Sequence, residues 1–215
     1  MSKIWVIDTN ILAYWIFDQS ILDFFISKGN LKQEFKDVYS KRYEDSIKLI
    51  KLLKDKKELV YIIEFCFNEV ISTIRDEIRI IKMFNSGVPM SRWASERDKV
   101  IIEEEESKEV FYRIMNEIDL LIRNKETKFE FLATTELSDE DNYLDVYSSL
   151  MFLFPQIKTQ DALLLTTSIF NKIDYFVTED QRLVKSCRKL IRENYQFEII
   201  KARTAILEVN TSIKK

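Results

Sequence analysis

Residues 4–10 read IWVIDTN, and both the fold and the candidate chemistry turn on them. Ile4, Trp5, Val6 and Ile7 form a continuous apolar run, as expected of a strand buried on both faces of a parallel sheet. The run ends in a carboxylate, Asp8, followed by Thr9 and Asn10. A buried strand more often hands over to a turn through Gly, Asn or Ser. An acid in that place is costly unless something compensates it.

Outward from this strand, strands and helices alternate. Ile11, Tyr14, Trp15, Leu22, Phe25 and Ile26 fall at helical spacing, which predicts a helix from Asn10 to Ser27, ended by Gly29-Asn30. A second helix is expected from Lys32 to Lys56, then a strand at Glu58–Ile63 and a long helix over residues 64–84. NSGVP, residues 85–89, is the clearest break. Residues 85–128 read as a charged helical insertion whose stripe is Val110, Phe111, Ile114, Met115, Ile118, Leu121 and Ile122, with Glu103–Glu106 as a solvated face.

A third strand is expected at residues 128–137 and helices at 138–154 and 159–170. A fourth strand at Tyr175–Val177, a helix over 181–194, a fifth strand at Phe197–Ile200 and a short last helix complete the chain. This alternation predicts an α/β protein: a three-layer α/β/α fold around a central parallel sheet of about five strands.

Composition narrows the chemistry. The chain has 215 residues, 46% hydrophobic and 32% charged, enough for one domain with a real core. A net charge of −3 sets up no general attraction for nucleic acid, so such binding would need a local patch. The absence of histidine excludes Ser-His-Asp and Cys-His catalysis, His-based nucleases and His-rich zinc sites. The two glycines, Gly29 and Gly87, lie in no phosphate-cradling loop, which excludes P-loops and GxGxxG dinucleotide folds. Cys66 and Cys187 have no CxxC spacing and read as small buried hydrophobes in a reducing compartment. No run approaches transmembrane length, and the amino-terminal apolar stretch is too short for a signal peptide, so the expected location is the cytoplasm without membrane contact. Any catalysis would fall to carboxylates, hydroxyls, amides, Lys and Arg.

In sheets of this kind, sites form at the carboxyl ends of the strands. Asp8 follows the first strand and Asp180 the fourth, in VTED. Asp161 opens a helix in KTQDALLL, and Glu69 lies early in the helix after the second strand, in FCFNEV. Each has a purely structural reading. Asp8 and Asp180 would cap the helices that follow them, Asp161 would answer a helix dipole behind a Thr159 cap, and Glu69 would continue the polar face of Ser72, Asp76 and Arg79. A structural role does not require their joint placement at one sheet edge. Acids converging there would repel one another, and a divalent cation relieves that. All-oxygen ligation without His or Cys suits a hard ion, Mg2+ or Mn2+.

VIDTNIL, IIEFCFNEVI, TQDALLLTTSI and IDYFVTEDQRL occur in this order. On these pieces the chain resembles the PIN-domain nucleases, nearest the VapC-like ribonucleases of toxin–antitoxin pairs. The resemblance implies a single PIN-like domain over 1–215 with 85–128 as a helical insertion, longer than compact members. It implies a metal-dependent endoribonuclease that hydrolyses RNA phosphodiester bonds, with Asp8, Glu69, Asp161 and Asp180 as catalytic acids and metal ligands and Asn10 and Thr178 as supporting polar groups. It further implies an RNA substrate, a small antitoxin protein that covers the site, and a homodimer. The expected division of labour gives Asp8 and Asp161 the central ion, Asp180 its ligation or its waters, and Glu69 a second ion or a metal-bound water. The position after the second strand that is often Ser in the family is Glu64 here, read as a surface residue.

Arg182, Lys185, Lys189 and Arg192 are spaced three, four and three, which would put them on one helical face. That face reads either as a solvated surface or as a track for the RNA backbone, with Arg182 and Lys185 the leading RNA-binding candidates and Arg75, Arg79 and Arg92 weaker ones. The aromatic residues read mostly as core, with no base-stacking set among them. A haloacid-dehalogenase-type phosphatase would want an acid where Asn10 stands, and a receiver domain would want Asp where ATTE follows the third strand. The open alternatives are a catalytically inactive PIN-like scaffold that binds RNA or protein, and a stand-alone RNA-processing nuclease.

Overall fold

In the computed structural model, which describes residues 3–124, 126–134 and 142–211, β1 (Ile4–Ile7) runs through the middle of a five-stranded sheet. It leads into a continuous rod of α1 (Thr9–Ile16), a π-helical turn at Phe17–Ile21, and α2 (Leu22–Ser27). Then come α3 (Gln33–Arg42), α4 (Glu44–Asp55), β2 (Leu59–Ile63) and α5 (Cys66–Asn85). Short turns around α6 (Trp93–Glu96) lead to α7 (Glu104–Arg123) and β3 (Lys128–Leu132). The chain continues through α8 (Tyr143–Leu153), α9 (Thr159–Phe170), β4 (Tyr175–Val177), α10 (Gln181–Ser186), α11 (Arg188–Tyr195), β5 (Glu198–Ile200) and α12 (Ala202–Thr211).

All strand pairs are parallel, in the order β3-β2-β1-β4-β5. Successive side chains of a strand point to opposite faces. Trp5, Ile7, Val60, Ile62 and Phe129 accordingly pack in one core with α1, α4, α5, α7 and α12, while Val6, Phe176 and Ile199 pack in another with α8, α9, α10 and α11. Parallel crossovers are right-handed. The chain steps one way from β1 to β3 with its helices on one face. It must step the other way from β4 to β5 with helices on the opposite face. This reversal leaves a crevice beyond the carboxyl ends of β1 and β4, the place where α/β sheets hold ligands.

Local geometry departs from sequence periodicity in several places. The helix expected over 32–56 breaks at Tyr43 (φ −109°, ψ 21°), which lets its ring stack on Tyr14. The helix expected over 181–194 breaks at Cys187 (φ −110°, ψ −24°), itself fully buried. Across that break Lys185 and Arg192 still line one surface, but Arg182 turns away from it to Asp161 and Asp180, so the single face expected is not kept. The π turn carries Asp18 into the interior, where it accepts hydrogen bonds from the Ser40 hydroxyl and the Gln19 amide. Lys158, not Thr159, is the cap residue of α9. The expected strand end at 135–137 and helix start at 138–141 lie outside the described residues.

Within 85–128, Val110, Ile114, Ile118 and Leu121 are buried in the same core as α1 and α5. Phe111 and Met115 of the expected stripe instead face outward. Among the described residues no helix is long and apolar enough to cross a membrane.

Candidate functional site

Register places the first acid. Ile7 pairs with Val177, and the Asp8 backbone N–H donates to the Val177 carbonyl at 2.9 Å, so Asp8 and Thr178 end adjacent strands side by side. Asp8 then caps α1. Its Oδ1 accepts from the Thr9 backbone N–H at 2.7 Å, and its Oδ2 from the Thr178 hydroxyl at 2.6 Å. The carboxyl is 7% exposed and Thr178 is wholly buried. Burial pushes Asp8 up to about 6, against the pull of the Thr178 and Thr9 hydrogen bonds, and the charges of Glu69 and Asp161 push the same way.

Glu69 reaches the same place from the first turn of α5. Its Oε2 accepts from the Thr9 hydroxyl at 2.7 Å, so Thr9 joins two acids, one through its backbone and one through its side chain. Thr9, the middle residue of DTN, thus belongs to the candidate site, although nothing in its type or spacing singles it out. Asp161 opens α9, where its Oδ2 accepts from the Lys158 backbone N–H at 3.1 Å. Burial pushes its carboxyl above the usual carboxylate range, opposed by that N–H and by Arg182.

Asp8, Thr9, Asn10, Glu69 and Asp161 line one cavity of about 390 Å3, together with Asn68, Ser72, Thr73, Lys158 and Gln160. Asp180 joins it only indirectly. It caps α10 by accepting from the Arg182 backbone N–H at 2.7 Å, and it pairs with the Arg182 guanidinium. Burial alone would raise its carboxyl, but the Arg182 hydrogen bonds outweigh burial and hold it below the ordinary value. The same guanidinium lies 3.5 Å from Asp161 Oδ2. Arg182 thus faces the acids and neutralises two of them, while Lys185 is exposed on a separate surface with Arg188 and Arg192.

The donor set is all oxygen, which in kind fits a hard divalent cation. Among the described residues, however, no three His, Cys, Asp or Glu side chains stand grouped closely enough to hold one. On one side Asp161 and Asp180 are both paired with Arg182. On the other side, Asp8 and Glu69 are both turned to Thr9. The residues fit an ion if these two arrangements open.

Neither cysteine competes for the chemistry. Burial pushes the Cys66 thiol well up, with the Asp8 charge adding to it, and pushes Cys187 to about 11. Both are buried and free, which suits inert core residues. Glu64 is exposed, as its surface reading expected. A second cavity of about 400 Å3 between α5 and α7 is mostly apolar and carries no comparable set of acids. No family model, no curated protein and no solved structure matches the chain.

Proposed function

We propose that the chain is a metal-dependent endoribonuclease, the activity implied by its resemblance to PIN-domain nucleases. The observation that carries the reading is Asp8: a buried carboxyl at the crevice between β1 and β4, pressed by Glu69 and Asp161 and pushed up to about 6. Burial of the charge is the main cost, repulsion by Glu69 and Asp161 adds to it, and a divalent cation would offset both.

Asp8, Asp161 and Glu69, which share the cavity, would hold a Mg2+ or Mn2+ ion, with Asp180 joining once Arg182 releases it. Such an ion would supply Lewis acidity for activating a water and polarising the scissile phosphate. Thr178 and Thr9 fix the carboxylate orientations through hydrogen bonds, and Asn10 stands on the cavity wall where it can hold a water or a phosphate oxygen. Arg182, freed from the acids, would supply a guanidinium for the RNA backbone, and Lys185, exposed on the separate surface with Arg188 and Arg192, would contact the RNA further from the cavity. Pairing with a small antitoxin and homodimer formation belong to the same reading.

The inactive-scaffold reading is favoured by one observation, the absence among the described residues of a ready group of three acids. Cleavage of a mixed RNA pool with Mg2+ or Mn2+ decides between them. The nuclease reading expects cutting by the wild type, loss in Asp8→Asn, and loss with a chelator. Cutting by Asp8→Asn at the wild-type rate would remove Asp8 from the mechanism, and a folded wild type that binds RNA without cutting it would leave the scaffold.

A further inference from the structure

The parallel sheet ends on one side at β5 and on the other at β3, and the two edges differ. β5 has three residues, and its Glu198 carboxylate is taken up by Arg188 and Arg192. β3 has five, Lys128-Phe129-Glu130-Phe131-Leu132, of which Lys128, Glu130 and Phe131 are exposed. An open edge strand is a template for another strand unless something blocks it.

Backbone direction shows which groups are open. The Leu132 carbonyl accepts from the Glu64 N–H at 3.0 Å, so Leu132 turns its peptide groups toward β2. These directions alternate along a strand. Lys128 and Glu130 therefore also face β2, while Phe129 and Phe131 turn their N–H and C=O outward. Among the described residues no strand, loop or side chain takes up these outward groups. Side chains alternate as well. Phe129 is buried on the face that holds α7, and Phe131, on the same face, is 49% exposed. Lys128 and Glu130 stand exposed on the other face, and neither has an ion pair among the described residues.

A second copy of the chain can meet this edge about a two-fold axis, which sets the two β3 strands antiparallel. Outward groups must face outward groups, so Phe129 and Phe131 must lie opposite odd-numbered residues. The axis then passes at Lys128, Phe129, Glu130 or Phe131. At Lys128 it sets two ammonium groups opposite each other, and at Glu130 two carboxylates, both unfavourable. At Phe131 it leaves Lys128 and Glu130 unmatched and pairs Phe129 with Ala133, beyond the end of the strand. At Phe129 the charges match: Lys128 of each copy faces Glu130 of the other. Both are non-hydrogen-bonded positions, where facing side chains come closest. Phe129 exchanges backbone hydrogen bonds with its counterpart, and exposed Phe131 lies diagonal to Phe129 of the second copy, within reach of its ring. Charges on an edge also serve to repel foreign strands, and here they admit one register of the chain's own strand.

We propose that β3 is a dimer interface: two copies of this chain join edge to edge, antiparallel about Phe129, in one continuous sheet fixed by reciprocal Lys128–Glu130 pairs. This gives a surface to the homodimer of the proposed function, and its argument uses no feature of the acidic site. Because the two sheets run antiparallel, the two acidic cavities lie at opposite ends of the dimer.

Analytical ultracentrifugation of the full chain reads the assembly. The wild type is expected to pass from monomer to dimer with rising concentration. Lys128→Glu and Glu130→Lys each set like charges opposite each other and are expected to raise the dimer dissociation constant at least about tenfold. Mixed in equal amounts, the two variants regain opposite charges at both pairs and are expected to form a heterodimer within about threefold of the wild-type affinity. Urea denaturation of each variant checks that these exposed substitutions leave the fold intact. A wild type that stays monomeric up to its solubility limit, a dimer indifferent to both reversals, or a mixture no tighter than its components would each overturn the proposal. A dimer indifferent to the reversals would move the homodimer to another surface. Mass is read without RNA or metal, so the result is independent of cleavage.

Discussion

The Thr178 hydroxyl donates to Asp8 Oδ2 at 2.6 Å across the parallel strands β1 and β4, and it accepts in turn from the Asp180 backbone N–H at 2.9 Å. One buried hydroxyl therefore ties two of the acids to the sheet. Thr178→Val keeps the shape and removes both bonds. The expected loss is about 1 to 3 kcal/mol of stability at neutral pH, read by urea denaturation, since a buried carboxyl and a part-buried N–H both lose a partner. The Asp8 carboxyl should also move further up from about 6, visible in its 13C chemical shift. Thr178→Ser should restore both readouts. A Val variant as stable as the wild type would mean that the hydroxyl contributes nothing to holding the site.

Asp8 also makes stability depend on pH. Its folded value of about 6 lies above the 3.8 of an unperturbed carboxyl, so the folded state binds the proton more tightly. The stability linked to this group is complete below the unfolded value and is lost as pH rises through about 6. By pH 7 the ionised carboxylate costs the fold about 3 kcal/mol. Asp8→Asn removes that cost and weakens the bonds to Thr9 and Thr178. The variant is expected to be more stable than the wild type by about 1 to 2 kcal/mol near pH 7, with the advantage gone near pH 4. A difference that stays flat across this range would show that Asp8 titrates as an ordinary surface carboxyl.

The sequence carried the positions of the acids but not their partners. Ile4–Ile7 and Tyr175–Val177 are apolar runs that stop at polar residues, so the sheet edge and the acids on it were visible without any tertiary knowledge. The breaks at Tyr43 and Cys187 are hidden in the sequence because apolar spacing continues through both points, and what accompanies them, ring stacking at Tyr43 and core packing at Cys187, lies between distant elements. For the same reason the Tyr14–Tyr43 pair escaped notice, its members being far apart in the chain. Arg182 was expected to face solvent or RNA. Its turn toward Asp180 and Asp161 depends on where α9 meets α10, which no spacing reveals.

Residues 85–128 should behave as part of the core. Ile118 is 3% exposed and packs with the sheet face that holds α1 and α5, whereas Leu120, two residues on, is 56% exposed. Ile118→Ala is expected to cost about 2 to 4 kcal/mol in denaturation experiments. Leu120→Ala should stay within about 0.5 kcal/mol of the wild type. Equal, small effects would show that α7 is an appendage and that the core closes without it.

Arg182 decides how open the acidic site is. Its side chain is 42% exposed and its guanidinium bridges Asp180 and Asp161, so its pairs are screened and contribute under about 1 kcal/mol to stability. Its weight falls on the acids instead, because a cation already seated among them competes with any metal ion. Arg182→Gln should therefore leave stability nearly unchanged and let the Asp180 carboxyl rise toward its ordinary range. Under the proposed function the same variant should bind Mg2+ or Mn2+ severalfold more tightly by isothermal titration calorimetry, because Asp161 and Asp180 lose the cation that pairs with them. RNA affinity should fall together with that gain, since the freed acids repel phosphate and the guanidinium is lost. Unchanged metal affinity with weakened RNA binding would make Arg182 a backbone contact alone, and the acids would then have to be opened by movement of Asp8 and Glu69 away from Thr9.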